Sequence, residues 1–93
     1  MNKEEFNKVV IENKEEVLVD FYATWCGPCN AMSEIVDSLE NIKVCRIDVD
    51  DEQELALSYG VMSIPTFISF KDGKEYKKKI GMCSKEDLEE LMK

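Results

Sequence analysis

Apolar residues along this chain change their spacing several times, and each change marks an element. Phe6, Val9 and Val10 fall on one helical face, and Asn2 followed three residues later by Glu5 is a cap signal, so a first helix is expected to about Asn13. From Val17 to Tyr22 the run is almost continuously apolar and made of strand formers, the pattern of a central strand covered on both faces. Met32, Ile35, Val36 and Leu39 then recur at i, i+3, i+4 and i+7, which predicts a helix packed on the sheet. Val44 to Val49 reads as a second strand, and Glu52 to Tyr59, closed by Gly60, as a further helix. Thr66 to Phe70 leads through Asp72-Gly73 into Glu75 to Ile80, the signature of a hairpin. Ser84 with Asp87 opens a last helix whose Leu88, Leu91 and Met92 face inward. Strands alternating with helices before a terminal hairpin and helix predict an α/β fold, a mixed sheet sandwiched by helices. No repeat, linker or low-complexity segment interrupts the 93 residues, so one domain over 1–93 is expected.

The chemistry concentrates where the first strand turns into a helix, at Trp25-Cys26-Gly27-Pro28-Cys29. Thiols three positions apart permit a reversible disulfide within one helical turn. A cysteine at a helix N-terminus has its pKa lowered by unpaired backbone N–H groups and the helix dipole, which makes Cys26 the expected nucleophile. Cys29, inside the first turn and less exposed, can attack a mixed disulfide at Cys26 and is the expected resolving thiol. Pro28 suits a first helical turn, where its missing N–H is no loss. A Cys-x-x-Cys pair also serves as half of a zinc site, but zinc frames usually repeat the pair. Here Cys45 and Cys83 are singletons and the chain has no histidine, so no metal is expected.

The segment Val17 to Cys29, VLVDFYATWCGPC, resembles the active-site segment of the thioredoxin family. Two further stretches match in order: Ile64-Pro65-Thr66 resembles the family's cis-proline segment, and Lys71-Asp72-Gly73-Lys74 followed by Ile80-Gly81 resembles its final hairpin and substrate-facing glycine. The resemblance implies the thioredoxin fold with a central mixed sheet and about four helices. Family members usually carry a strand before the first helix, and only Met1 and the capping Asn2 precede that helix here. Four strands are therefore expected, with five as the alternative.

The resemblance also implies roles for single residues. Asp20 occupies the position of the family's buried aspartate, and in the strand it shares a face with Leu18 and Tyr22. Burial raises a carboxyl pKa, and such an acid can exchange protons with Cys29. Arg46 stands where a lysine is common. A guanidinium keeps its charge, so beside Asp20 it would oppose the rise; pointing to solvent at the sheet edge is the alternative. The Ile64–Pro65 bond is expected cis, with Ile64 offering backbone groups to a bound peptide beside Cys26. Trp25, Gly27, Pro28 and Gly81 are expected to complete the groove, the tryptophan by flat apolar contact and the glycine by removing bulk where another backbone approaches. Tyr22, Asn30 and Glu34 depart from residues common in relatives: a tryptophan, a cation and a helix-kinking proline. Cys45 is expected to fill core space, and Cys83 to be either a packing residue or an oxidisable third thiol near the groove.

Charge narrows the partners. Twelve basic against twenty acidic residues give a net charge of −8, which argues against nucleic acid or an anionic membrane surface. The opening Met1-Asn2-Lys3-Glu4-Glu5 is unlike a signal peptide, so a cytoplasmic protein with a reducible dithiol is expected. By resemblance the chain is a thioredoxin-like monomer reducing disulfide-containing protein substrates. It requires no bound cofactor, and its electrons come from a separate chain, a thioredoxin reductase. A flavin-containing, NADPH-dependent reductase is usual for the family and a ferredoxin-linked one is the alternative. The competing functions are a redox protein serving one dedicated partner and a redox-inactive binding module of the same fold.

Overall fold

Four strands form one mixed sheet in the order β2-β1-β3-β4 in the computed structural model, which describes residues 2–12 and 14–93. The strands are β1 (Val17–Tyr22), β2 (Lys43–Asp48), β3 (Thr66–Lys71) and β4 (Lys74–Ile80). β1 runs parallel to β2 and antiparallel to β3, which pairs antiparallel with β4. Around it lie α1 (Lys3–Phe6), α2 (Gly27–Asp37), α3 (Gln53–Ser58) and α4 (Lys85–Leu91). The four-stranded expectation holds among the described residues.

Local chemistry accounts for most element ends. Asn2 Oδ1 accepts the Glu5 N–H at 2.8 Å and starts α1. Beyond Phe6 the helix widens into a π-helical turn, Asn7–Ile11. Val9, Val10 and Ile11 are consecutive β-branched residues, poor continuations of a tight α-helix, and the wider turn still buries both Phe6 and Val10. The expected helix end near Asn13, like Met1, lies outside the described residues. Gly60, at φ 67°, ends α3: its N–H bonds the Leu57 carbonyl and the Val61 N–H reaches back to Ala56. Asp72 and Gly73, at φ 54° and 77°, make the tight turn between β3 and β4. A side chain at Gly73 would collide with the Ile11 carbonyl. Ser84 and Asp87 cap α4 reciprocally, at 3.1 Å in each direction.

The period of two in β1 sorts its side chains between two layers. Val17, Val19 and Phe21 join Phe6, Val10, Leu55, Ile68 and Phe70 under α1 and α3. Leu18 joins Met32, Val36, Phe67, Leu88 and Leu91 under α2 and α4. Each large apolar side chain fully withdrawn from water contributes roughly 2 kcal/mol. Together the two layers fix the C-terminal end of β1, from which the Cys26 loop emerges.

Candidate active site

Beyond Tyr22 the chain makes one tight turn before α2. The Cys26 N–H donates to the Ala23 carbonyl at 3.2 Å, and Cys26 caps the helix, its Sγ accepting the Cys29 N–H at 3.2 Å. Pro28 falls in the first turn, as its fixed φ and missing donor allow. The Cys26 and Cys29 sulfurs are joined as a disulfide, with their Cα atoms 5.2 Å apart. Both side chains are buried, 4% and 3% exposed, so accessibility does not separate them in the bonded form as the sequence had implied. Position does: Cys26 Sγ occupies the capping site that faces the helix N–H groups, whereas Cys29 lies within the turn.

Ile64, Pro65 and Gly81 come from distant parts of the chain to the same end of the sheet. The Ile64–Pro65 peptide is cis, and the Ile64 carbonyl oxygen lies 3.9 Å from Cys26 Sγ. The Pro65 carbonyl accepts the Gly81 N–H at 2.8 Å, which ties the loop to the end of β4. At Gly81 an added Cβ would meet no atom of this chain within 4 Å, so no crowding inside the chain requires glycine there. Its φ of 89° is the reason, a backbone conformation that side chains disfavour.

Trp25 is 69% exposed, which rules out a core role for it. Its indole N–H donates to Asp50 Oδ2 at 2.6 Å, and the ring walls an open groove of about 400 Å³ with Val49, Val61, Met62, Ser63 and Ile64. Gly27 and Pro28 are exposed beside the disulfide. Asp50 and the Val61–Ser63 stretch were not singled out from sequence. Nothing local marks them, because Asp50 in the turn after β2 and Val61–Ser63 after α3 meet Trp25 only in the folded chain.

Asp20 lies on β1, buried at 2% exposure, and faces Arg46 across the β1–β2 register. Arg46 Nε is 3.2 Å from Asp20 Oδ2, so the inward alternative for Arg46 is the one realised. Neither Nε nor Asp20 Oδ1 has a hydrogen-bond partner among the described residues, which makes the contact one of charge, not an aligned bond. Burial pushes the Asp20 carboxyl up to about 6, and the guanidinium beside it pulls against that rise. Tyr22 lies under the Arg46 head, 4.8 Å from ring centre to guanidinium carbon.

The remaining departures are placed as follows. Asn30 Nδ2 donates to the Thr24 carbonyl at 3.3 Å, bracing the loop before the disulfide. Glu34 is exposed on an unbroken α2. Cys45 is buried in the apolar layer under α1 and α3. Cys83 packs, half-buried, against the Leu88 layer and not with Cys26 and Cys29. Its thiol is pushed up by burial and by the Asp87 charge, against a smaller pull from Lys79, the opposite of what a reactive thiol needs.

Comparison with known proteins gives a consistent result. The Thioredoxin family model matches residues 1–93. The chain is 42% identical over 96 residues to a thioredoxin of Mycoplasmoides gallisepticum, covering 99% of this chain and 95% of that protein. It is 44% identical over 81 residues to a thioredoxin of Bacillus subtilis, covering 82% and 78%. Among solved structures, a mutant thioredoxin from Halobacterium salinarum superposes with a TM-score of 0.88 at 35% identity, over 97% of this chain and 81% of that one. A Fasciola hepatica thioredoxin superposes with a TM-score of 0.87 at 33% identity, over 97% and 91%.

Proposed function

The chain belongs to the thioredoxin family of thiol-disulfide oxidoreductases, and we propose that it reduces protein disulfides with Cys26 attacking, Cys29 resolving and Asp20 exchanging the proton. The observation that carries this reading is the capping position of Cys26 Sγ, which accepts the Cys29 N–H at 3.2 Å. A thiolate there is stabilised by that donor and the helix dipole. In the reduced protein the Cys26 thiolate attacks one sulfur of the substrate disulfide, and the other sulfur leaves as a thiolate. Cys29 then gives its proton to Asp20 and attacks Cys26 Sγ. The Cys26–Cys29 bond forms, the mixed disulfide breaks and the second substrate thiolate departs. Atoms and electrons balance: the Cys26 thiolate and the Cys29 thiol become one disulfide as the substrate disulfide becomes two thiolates, and the Cys29 proton held on Asp20 passes on to a departing thiolate or to water.

The substrate segment lies against Trp25, Gly27, Pro28, Ile64, Pro65 and Gly81, with the Ile64 backbone pairing to it as to a neighbouring strand. The exposed indole and the open groove beside it support this placement. The oxidised protein is returned to the dithiol by a thioredoxin reductase on a separate chain. The chain works as a cytoplasmic monomer, and no helix among the described residues is long and apolar enough to cross a membrane.

Two measurements test the reading. Equilibrating the Cys26–Cys29 couple in graded dithiothreitol or glutathione buffers should give a potential near the value established for thioredoxin itself, about −270 mV. A potential toward the isomerase range, about −180 mV, would overturn the reductant role and favour a dedicated partner; the absence of any couple would leave a binding module. Mixed with a disulfide substrate, Cys29→Ser should accumulate a covalent protein–substrate adduct while Cys26→Ser gives none. Trapping through Cys29 instead would reverse the assigned roles.

A further inference from the structure

We propose that Ser33 and Tyr22 are positioning residues that clamp the Arg46 guanidinium against Asp20, so that a fixed cation sets the pH at which this buried acid becomes a proton acceptor for Cys29. The inference rests on the proton-transfer role of Asp20 proposed above.

The Asp20–Arg46 ion pair is not held by its mutual attraction alone. Asp20 is almost wholly buried, but a third of the Arg46 side chain, 33%, is exposed, so its head has an open route to water. The Nε to Oδ2 approach of 3.2 Å is not aligned as a hydrogen bond, so direction must come from elsewhere. Two other contacts supply it. Arg46 Nη2 donates to Ser33 Oγ at 3.0 Å, and the Tyr22 ring lies flat apolar surface against the guanidinium carbon at 4.8 Å. One contact comes from α2 and the other from the end of β1, so the planar head is gripped from two elements. Ser33 follows Cys29 by four positions, one turn along the same face of α2. The helix that carries the resolving thiol therefore also carries the clamp.

The surroundings leave Arg46 as the charge that acts on Asp20. Across β3 its register partner is Phe67. The helix α4 and the residues flanking it bring Leu88, Leu91, Met92 and the half-buried Cys83 to this layer, and the Cys83 thiol, pushed up, stays uncharged near neutral pH. From α2 come apolar Met32, Ile35 and Val36, with the Ser33 hydroxyl on the Arg46 head and Cys29 one turn before it, uncharged in the disulfide. A released guanidinium would leave the carboxylate desolvated and uncompensated, and the acid would hold its proton to higher pH. Clamped, Asp20 titrates at about 6 and stands mostly as carboxylate at neutral pH. It can then take the Cys29 proton as the Cys29 sulfur displaces substrate from Cys26.

The test follows the Asp20 carboxyl carbon by NMR from pH 4 to 9 in the reduced protein, alongside the rate at which a preformed mixed disulfide at Cys26 is resolved. Ser33→Ala and Tyr22→Leu should each raise the Asp20 midpoint by about half a pH unit and carry the acid limb of the rate profile with it. Ser33→Thr, which keeps a hydroxyl, should restore both. Arg46→Gln removes the charge itself and should move the midpoint up by about 1–3 units. A midpoint that stays within about 0.2 units in both clamp variants overturns the proposal, whether or not their melting temperatures fall, because the shifts expected are larger. An unmoved midpoint in Arg46→Gln overturns it as well. Failure of the underlying reading looks different: Asp20→Asn would then keep the parent's pH profile of resolution, whatever the clamp variants do to the midpoint.

Discussion

The two faces of β1 are covered by helices to similar depth but carry different contents. On the side of α1 and α3, Val17, Val19 and Phe21 meet mainly apolar and aromatic neighbours and no buried charge, with the Thr66 hydroxyl opposite Phe21 and Phe6 packed edge-on against Phe70 at 5.7 Å between ring centres. On the side of α2 and α4 the same strand buries Asp20 beside Arg46. The first face gains stability from every group it hides. The second loses some at neutral pH, since a carboxyl pushed up to about 6 is ionised there against its desolvation. The costly face is the one under the helix that begins at the disulfide. One six-residue strand thus has a dominantly apolar side and a side that buries an ion pair.

If that division is real, damage to the apolar face should cost folding without touching redox chemistry. Phe6→Ala, at a fully buried site in the aromatic cluster, should lower unfolding free energy by roughly 3–5 kcal/mol in a denaturant titration and leave the Cys26–Cys29 potential unchanged. A shift in potential would show that the faces communicate.

The opposite change on the opposite face should have the opposite sign. The folded-state pKa of Asp20 lies above its unfolded value of 3.8, so the native state binds this proton more tightly and stability falls as pH rises from about 4 through about 6. Asp20→Asn removes the ionisation and should stabilise the protein by about 3 kcal/mol at pH 7 to 8, with no gain below about pH 4. Equal gain at both ends would mean that packing and not charge is responsible. The same variant should slow resolution by Cys29 at neutral pH.

The smallest expected effect lies outside both layers. Asp50→Ala frees the exposed Trp25 indole; stability should move by less than about 0.5 kcal/mol, because nothing buried changes. Turnover of protein disulfides should fall about two- to fivefold through KM, as binding energy of one exposed contact is lost. A fall in kcat instead would place Trp25 in the chemical step.

Most of the fold could be read along the chain because its signals are local. The hairpin needed only Asp72-Gly73 between two strand-forming runs, and α4 only Ser84 with Asp87 ahead of an inward stripe. The thiol pair was legible for the same reason, since Cys26 and Cys29 lie within one helical turn. Where the local signal was mixed, at Val9 to Ile11, the helix widened in a way the apolar stripe does not disclose.

What the sequence determined by itself was therefore the set of elements, the redox pair and, through resemblance, the neighbourhood in which Asp20 and Pro65 would lie. Only the tertiary structure decided the direction of Arg46, its grip by Ser33 and Tyr22, the bond from Trp25 to Asp50 and the packing of Cys83 away from the disulfide. Those outcomes depend on contacts between residues far apart in sequence, whose energies of a few kcal/mol or less are fixed by packing geometry and leave no periodicity along the chain.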